Sequence, residues 1–219
     1  MYRDEILDKS LASLSNEAQK ILREYGIRNL YDVAFWMCDD VDNVRKFENE
    51  VISDFPEKDL IKLRKLLLKN NCYSRIRHAE HLKSVIKLQI SVTAGTFRPA
   101  GYLQSVTEEY TIDRIQGKIH LKHVNYEGKI IKNINIHVPD SEMLSFFYIV
   151  DEMFYKGISL DTSCIFDSTK YKVSVKYADN SIIDAEGCST GRSVNVDQII
   201  EDMKRIVTMS INKYYCVRT

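Results

Sequence analysis

Ile86-Lys87-Leu88-Gln89-Ile90-Ser91-Val92-Thr93 is the run on which the fold class turns. Ile86, Leu88, Ile90 and Val92 alternate with Lys87, Gln89, Ser91 and Thr93, and a period of two predicts a strand with one wet face. Upstream the period is different. Between Tyr2 and Lys83 there is one glycine, Gly26, and one proline, Pro56, while apolar residues recur three and four apart. That is the spacing of helices that bury one stripe. An N-terminal all-helical module followed by an antiparallel β-sheet domain covered by two helices, hence an α+β protein, is the expectation. The boundaries fall at 1–75 for a helix-hairpin-helix-like module, 76–84 for a linker and 85–219 for the α+β domain.

In the helical module the spacing predicts helices over Tyr2–Ser13, Ser15–Tyr25, Asn29–Met37, Val41–Ile52 and Glu57–Asn70. Asp54 is placed to cap the last of these, and Pro56 suits its first turn. Further strands are predicted at Tyr102–Asp113, Lys118–Asn125 and Ile130–Val138, with turns at Gln116-Gly117-Lys118 and Glu127-Gly128-Lys129. Asp140 opens a helix through Met143, Phe146, Phe147, Val150 and Phe154 that Gly157 closes. Tyr171–Tyr177 and Ile182–Glu186 form a hairpin about Ala178-Asp179-Asn180-Ser181, and Val196 to Val207 marks a final amphipathic helix. Tail residues Tyr214 to Val217 follow it.

Lysine plus arginine equals aspartate plus glutamate, 31 each, so the whole-chain field gives no long-range attraction to nucleic acid or an acidic membrane. At 44% hydrophobic residues the 219-residue chain is apolar enough to build a substantial core. Its start has no basic-then-apolar order and no apolar run approaches a membrane span, which points to the cytoplasm and away from a membrane partner. Five cysteines, Cys38, Cys72, Cys164, Cys188 and Cys216, lie at wide, irregular gaps with no Cys-x-x-Cys pair. The expectation is reduced structural thiols rather than a disulfide framework or a zinc site. The richness in Ile, Lys, Asn and Tyr is that of an AT-rich gene, as in bacteria and phages.

Candidate chemistry is sparse. His120 and His123 fall on opposite faces of a strand, and His78 and His81 have no third ligand at a familiar spacing, so no metal site is expected. Glu108, Glu109 and Asp113 share a strand, and Asp151 and Glu152 share a helix, but paired carboxylates work as acid and base only across a cleft. No nucleophile elbow or P-loop is present, so no catalytic residue and no cofactor is assigned. The loop Gly187-Cys188-Ser189-Thr190-Gly191-Arg192-Ser193 leads into the final helix. Ser189, Thr190, Gly191, Arg192 and Ser193 are candidates for an anion, with an ordinary strand-to-helix connection capped by Ser193 as the alternative. Charge is uneven: Lys58, Lys62, Arg64, Lys65, Lys69, Arg75, Arg77 and Lys83 follow an acidic stretch from Met1 to Pro56. Lys62, Lys65, Lys69, Tyr73, Arg75 and Arg77 are the candidates for nucleic-acid contact; a face compensated within the fold is the alternative.

Leu14-Ser15-Asn16-Glu17-Ala18-Gln19-Lys20-Ile21-Leu22 and Gly26-Ile27-Arg28-Asn29-Leu30-Tyr31-Asp32-Val33 carry the one family likeness in the chain. Residues 6–33 resemble the first half of the carboxy-terminal domain of bacterial RNA polymerase alpha subunits. The resemblance implies a small helical fold with helix-hairpin-helix elements that contacts DNA and regulators. Where that family presents an arginine for DNA, this chain has Glu17, and where the family's second hairpin has a glycine, this chain has Asp54-Phe55-Pro56-Glu57. An acidic side chain is repelled by phosphate, and a glycine-free hairpin holds its amides farther from one.

Two well-patterned modules without an assembled catalytic set point to a non-enzymatic, cytosolic protein-binding protein: an adaptor, regulator or inhibitor. Tyr102, Tyr110, Tyr126, Tyr148 and Tyr155 are the candidate interface aromatics. Nucleic-acid binding through 58–83 is the first alternative, and an enzyme or binder of a phosphorylated small molecule at 187–193 the second.

Overall fold

Ser15 opens the helix over Asn16–Glu24 by accepting a hydrogen bond from the Ala18 amide at 3.2 Å. The computed structural model describes residues 11–70, 72, 84–93, 107–154, 169–188 and 196–216. The predicted helix over Tyr2–Ser13, the closing Gly157 and the residues 73–83 lie almost wholly outside these. α1 (Asn16–Glu24) ends at Gly26, whose φ of 74° is a left-handed conformation that suits glycine. There Gly26 donates to the Arg23 carbonyl at 3.0 Å and Ile27 to the Leu22 carbonyl at 2.9 Å, while the side chains of Leu22 and Ile27 are both buried. Asn29 and Asp32 form a reciprocal capping box that starts α2 (Leu30–Ala34). The predicted helix to Met37 instead widens into a π-helical turn over Phe35–Asp39. Asp40 then caps α3 (Val41–Glu50), a 3₁₀ turn covers Ile52–Asp54, and α4 spans Glu57–Lys69. Asp54 belongs to that turn and does not cap α4; Pro56, already fixed near helical φ, precedes the helix directly.

The chain divides into two compact units, Met1–Ser84 with Pro139–Tyr148, and Val85–Val138 with Ile149–Thr219. In the first, Leu22, Leu30, Val33, Val44, Phe47, Leu63 and Leu67 are buried. The segment Pro139–Tyr148, the start of α5 (Asp140–Phe154), joins this unit through polar links. Arg64 Nε and Nη2 reach Asp140 Oδ1 at 2.9 and 2.8 Å, both side chains being buried. Ser141 donates its amide and its hydroxyl to the Glu48 carboxylate at 2.9 and 2.8 Å, and the Tyr148 hydroxyl donates to the Cys38 carbonyl at 2.7 Å. Burial pushes the Glu48 carboxyl above its ordinary value.

The second unit is a six-stranded sheet, β1 (Val85–Thr93), β2 (Thr107–Asp113), β3 (Lys118–Val124), β4 (Ile130–His137), β5 (Lys170–Tyr177) and β6 (Ile182–Cys188). The order is β4-β3-β2-β1-β5-β6 and every neighbouring pair is antiparallel. Gly117 at φ 62°, Gly128 at φ 77° and Asn180 at φ 67° make the turns where the sequence places them. One face gathers Leu88, Ile90, Tyr110, Ile112, Ile119, Leu121, Tyr171, Val173, Val175 and Tyr177, all buried. α6 (Val196–Cys216) serves that face with buried Ile199, Met203 and Ile206, and the Tyr171 hydroxyl donates to Asp197 of α6. The last turns of α5 do the same: Tyr177 donates to the Phe154 carbonyl at 3.0 Å, and Asp151 takes the Val85 amide at 2.7 Å and Arg114 at 2.9 Å.

Cys38 and Cys72 are reduced cysteines, but Cys188 is buried and disulfide-bonded, which corrects the expectation of reduced cysteines throughout. No helix among the described residues is long and apolar enough to cross a membrane.

Candidate functional site

The helical unit presents two surfaces. On α2 and the π turn, Leu30, Val33, Ala34 and Met37 turn inward and are buried, so Tyr31 and Phe35, one helical turn apart, turn out. Tyr31 is 44% exposed and Phe35 55%. Phe35 meets Trp36 edge to face at 6.1 Å between centroids; Trp36 in turn stacks on Phe47 at 6.2 Å, with Lys46 Nζ 5.5 Å from its ring centroid. The rings are braced from beneath and open from above. None of the three was singled out from the sequence, although the inward period of Leu30, Val33 and Met37 assigns Tyr31 and Phe35 to the outer face.

Along α4, Lys58, Lys62, Lys65 and Lys69 are exposed, and steps of four, three and four residues keep them on one arc of the helix. The stripe is about 16 Å long at 1.5 Å per residue. Lys62 pairs with Asp59 at 3.0 Å. Burial alone would raise the Asp59 carboxyl, yet the hydrogen bonds from Ser15 and Lys62 outweigh it and hold Asp59 below its ordinary value. Arg64, counted with the basic surface in the sequence, is removed from it by burial against Asp140. Tyr73, Arg75 and Arg77 lie outside the described residues.

In the sheet unit the face opposite the core is polar. One row crosses all six strands as Glu186, Lys172, Ser91, Glu109, Lys122 and Asn133. A shallow cavity of about 500 Å³ lies over its middle, lined by Gln89, Ser91, Glu109, Thr111, Lys172 and Glu186 among others. Lys172–Glu186 at 3.2 Å and Lys122–Glu109 at 3.0 Å neutralise each other along the row. Glu109 and Glu186 are three strand spacings apart, about 14 Å, beyond the roughly 5–9.5 Å over which two carboxyls share a glycosidic bond. The adjacent acids of the sequence separate as well: Glu108 faces the core side, Glu109 the polar side, Asp113 accepts the Gln116 amide at 2.8 Å, and Asp151 is engaged by Arg114. His120 and His123 lie on opposite faces, as their spacing requires, and His120 contacts Asn133 at 2.7 Å.

Of the tyrosines read as interface anchors, Tyr110 is a correction. It is 1% exposed, because parity with Ile112 turns it into the core, and its hydroxyl donates to Glu108 at 2.5 Å. Tyr148 is half-buried and bonded to Cys38, Tyr126 is 71% exposed on the β3–β4 turn, and Tyr102 and Tyr155 lie outside the described residues. So do Ser189, Thr190, Gly191, Arg192 and Ser193. Among the described residues no group of three or more His, Cys, Asp or Glu is placed to hold a metal ion.

No protein-family model, curated protein or solved structure matches the chain.

Proposed function

We propose that the chain is a protein-binding protein, an adaptor, regulator or inhibitor, and that Tyr31, Phe35 and Trp36 of the helical unit form its docking face. The exposure of Tyr31 and Phe35 on one braced aromatic surface carries the proposal. Aromatic rings anchor protein interfaces because they bury a large apolar area with few rotatable bonds. Here Trp36 already rests on Phe47, so little side-chain freedom is lost when a partner arrives. The partner that fits is a protein with an apolar pocket for Phe35. Phe35→Asp removes that fit at an exposed position and leaves the core intact. Proteins retained by the immobilised chain from a lysate, and lost with Phe35→Asp, support the proposal; an identical set with both counts against it.

The lysine stripe favours a second reading, a polyanion such as nucleic acid lying along α4. Successive lysines rise about 4.5–6 Å along the helix. Binding of this kind weakens steeply with salt. Lys65→Gln with Lys69→Gln then reduces both affinity and the salt slope; salt-independent binding excludes it.

A cytosolic setting belongs to the first proposal. The Cys188 disulfide tells against it, since disulfides seldom persist in a reducing compartment.

A further inference from the structure

On the core side of the sheet, Glu108 and His123 sit directly opposite each other on β2 and β3, and Tyr110 is two residues along from Glu108 on the same face. The three side chains are mutual neighbours. Tyr110 donates its hydroxyl to Glu108 Oε2, and the His123 ring meets the Tyr110 ring at 6.2 Å between centroids. His123 Nε2 is buried and, among the described residues, has no hydrogen-bond partner. Charged groups face this cluster from every element around it: Lys132 of β4 and Lys204 of α6 act on His123, and Glu201 of α6 acts on Tyr110. Lys204 is itself bonded to Glu201 at 2.9 Å.

An orphaned ring nitrogen beside a carboxylate already engaged elsewhere is an arrangement with two states. Whichever nitrogen holds the hydrogen in the neutral ring, a proton taken from water gives both nitrogens an N–H. A buried donor on a charged ring has to find an acceptor, because leaving it unpaired is costly. Glu108 is the acceptor opposite it. Glu108 Oε2 already holds the Tyr110 hydroxyl, so turning that oxygen to His123 gives up the Tyr110 bond.

We propose that Glu108 is a two-position carboxylate, bonded to Tyr110 while His123 is neutral and to His123 once that ring takes a proton, so that proton uptake releases the Tyr110 hydroxyl toward Glu201 of α6. The device couples acidification to the contact between the sheet and its C-terminal helix. Burial, helped by Lys132 and Lys204 against the opposing pull of Glu108, already holds the His123 ring below its ordinary value, as a proton that has to displace a hydrogen bond would require.

Ring nitrogen and tyrosine resonances of the full chain, followed by NMR from neutral to acid pH, test this. In the natural sequence, Tyr110 and His123 signals are expected to move with one shared midpoint. Tyr110→Phe removes the competitor for Glu108 and keeps the ring, so the His123 midpoint rises by about half a pH unit, roughly threefold in proton affinity. Glu108→Gln lowers it. A Tyr110 signal that does not follow His123 overturns the proposal even where a variant fails to fold. An unmoved His123 midpoint in folded Tyr110→Phe overturns it as well.

Discussion

Arg64 shows how one buried charge changes the meaning of a sequence. In the chain it reads as part of a basic run, but its guanidinium is spent on Asp140, 76 residues away. Arg64→Met leaves Asp140 buried without that partner, and removing one member of such a pair is expected to cost about 3–5 kcal/mol. Urea unfolding measures this, and a loss under about 1 kcal/mol would deny the pair that role. His123 makes a pH prediction whose sign follows from its downward shift. Between the ordinary histidine value, near 6.5, and the lower folded one, the unfolded chain binds more protons, so stability falls as pH drops through that window. His123→Gln removes this contribution. The difference in unfolding free energy between the two proteins therefore narrows from pH 7.5 to about pH 5 in the variant's favour; a constant difference contradicts it. Tyr110 was open to a better reading from sequence, since its parity with Ile112 was visible. The partnership of Glu108 and His123 was not, because it depends on the register of β2 against β3.

Elements follow local chemistry wherever capping, turn and period agree. α1 is the clearest case: Ser15 opens it and Gly26 closes it. Gly26→Ala meets nothing among the described residues within 4 Å of the added methyl, so its effect is set by the strain of a left-handed alanine. About 1 kcal/mol of destabilisation is expected by thermal or urea unfolding. The strands were legible for the same reason: β1 and β5 alternate with period two, and short turns join β2 to β3, β3 to β4 and β5 to β6. What local pattern does not hold is long-range placement. The meander β1 to β4 follows from its turns where those are short, whereas the position of β5 beside β1 rather than β4 depends on the long route through α5. The π turn at Phe35–Asp39 was equally hidden, for the apolar spacing around Val33 and Met37 fits an α-helix as well. Nor does anything local tell that Pro139–Tyr148 packs with residues 93 and 110 positions earlier, Glu48 and Cys38.

For the whole molecule, the described residues offer carboxylates already committed to structural partners, a polar sheet face whose charges are paired, and a helical unit with an aromatic face and a lysine stripe. Binding surfaces of this kind give different responses to salt. An aromatic dock is held by buried apolar area and changes little with ionic strength, while a lysine stripe releases counterions and weakens steeply. The central claim is that Tyr31, Phe35 and Trp36 form a protein dock, and affinity of the full chain for a captured partner, with and without Phe35→Ala, tests it most directly. The claim predicts that Phe35→Ala weakens binding by at least about 2 kcal/mol, near thirtyfold, with unfolding unchanged and little dependence on salt. Equal affinity of the two proteins for that partner would contradict it.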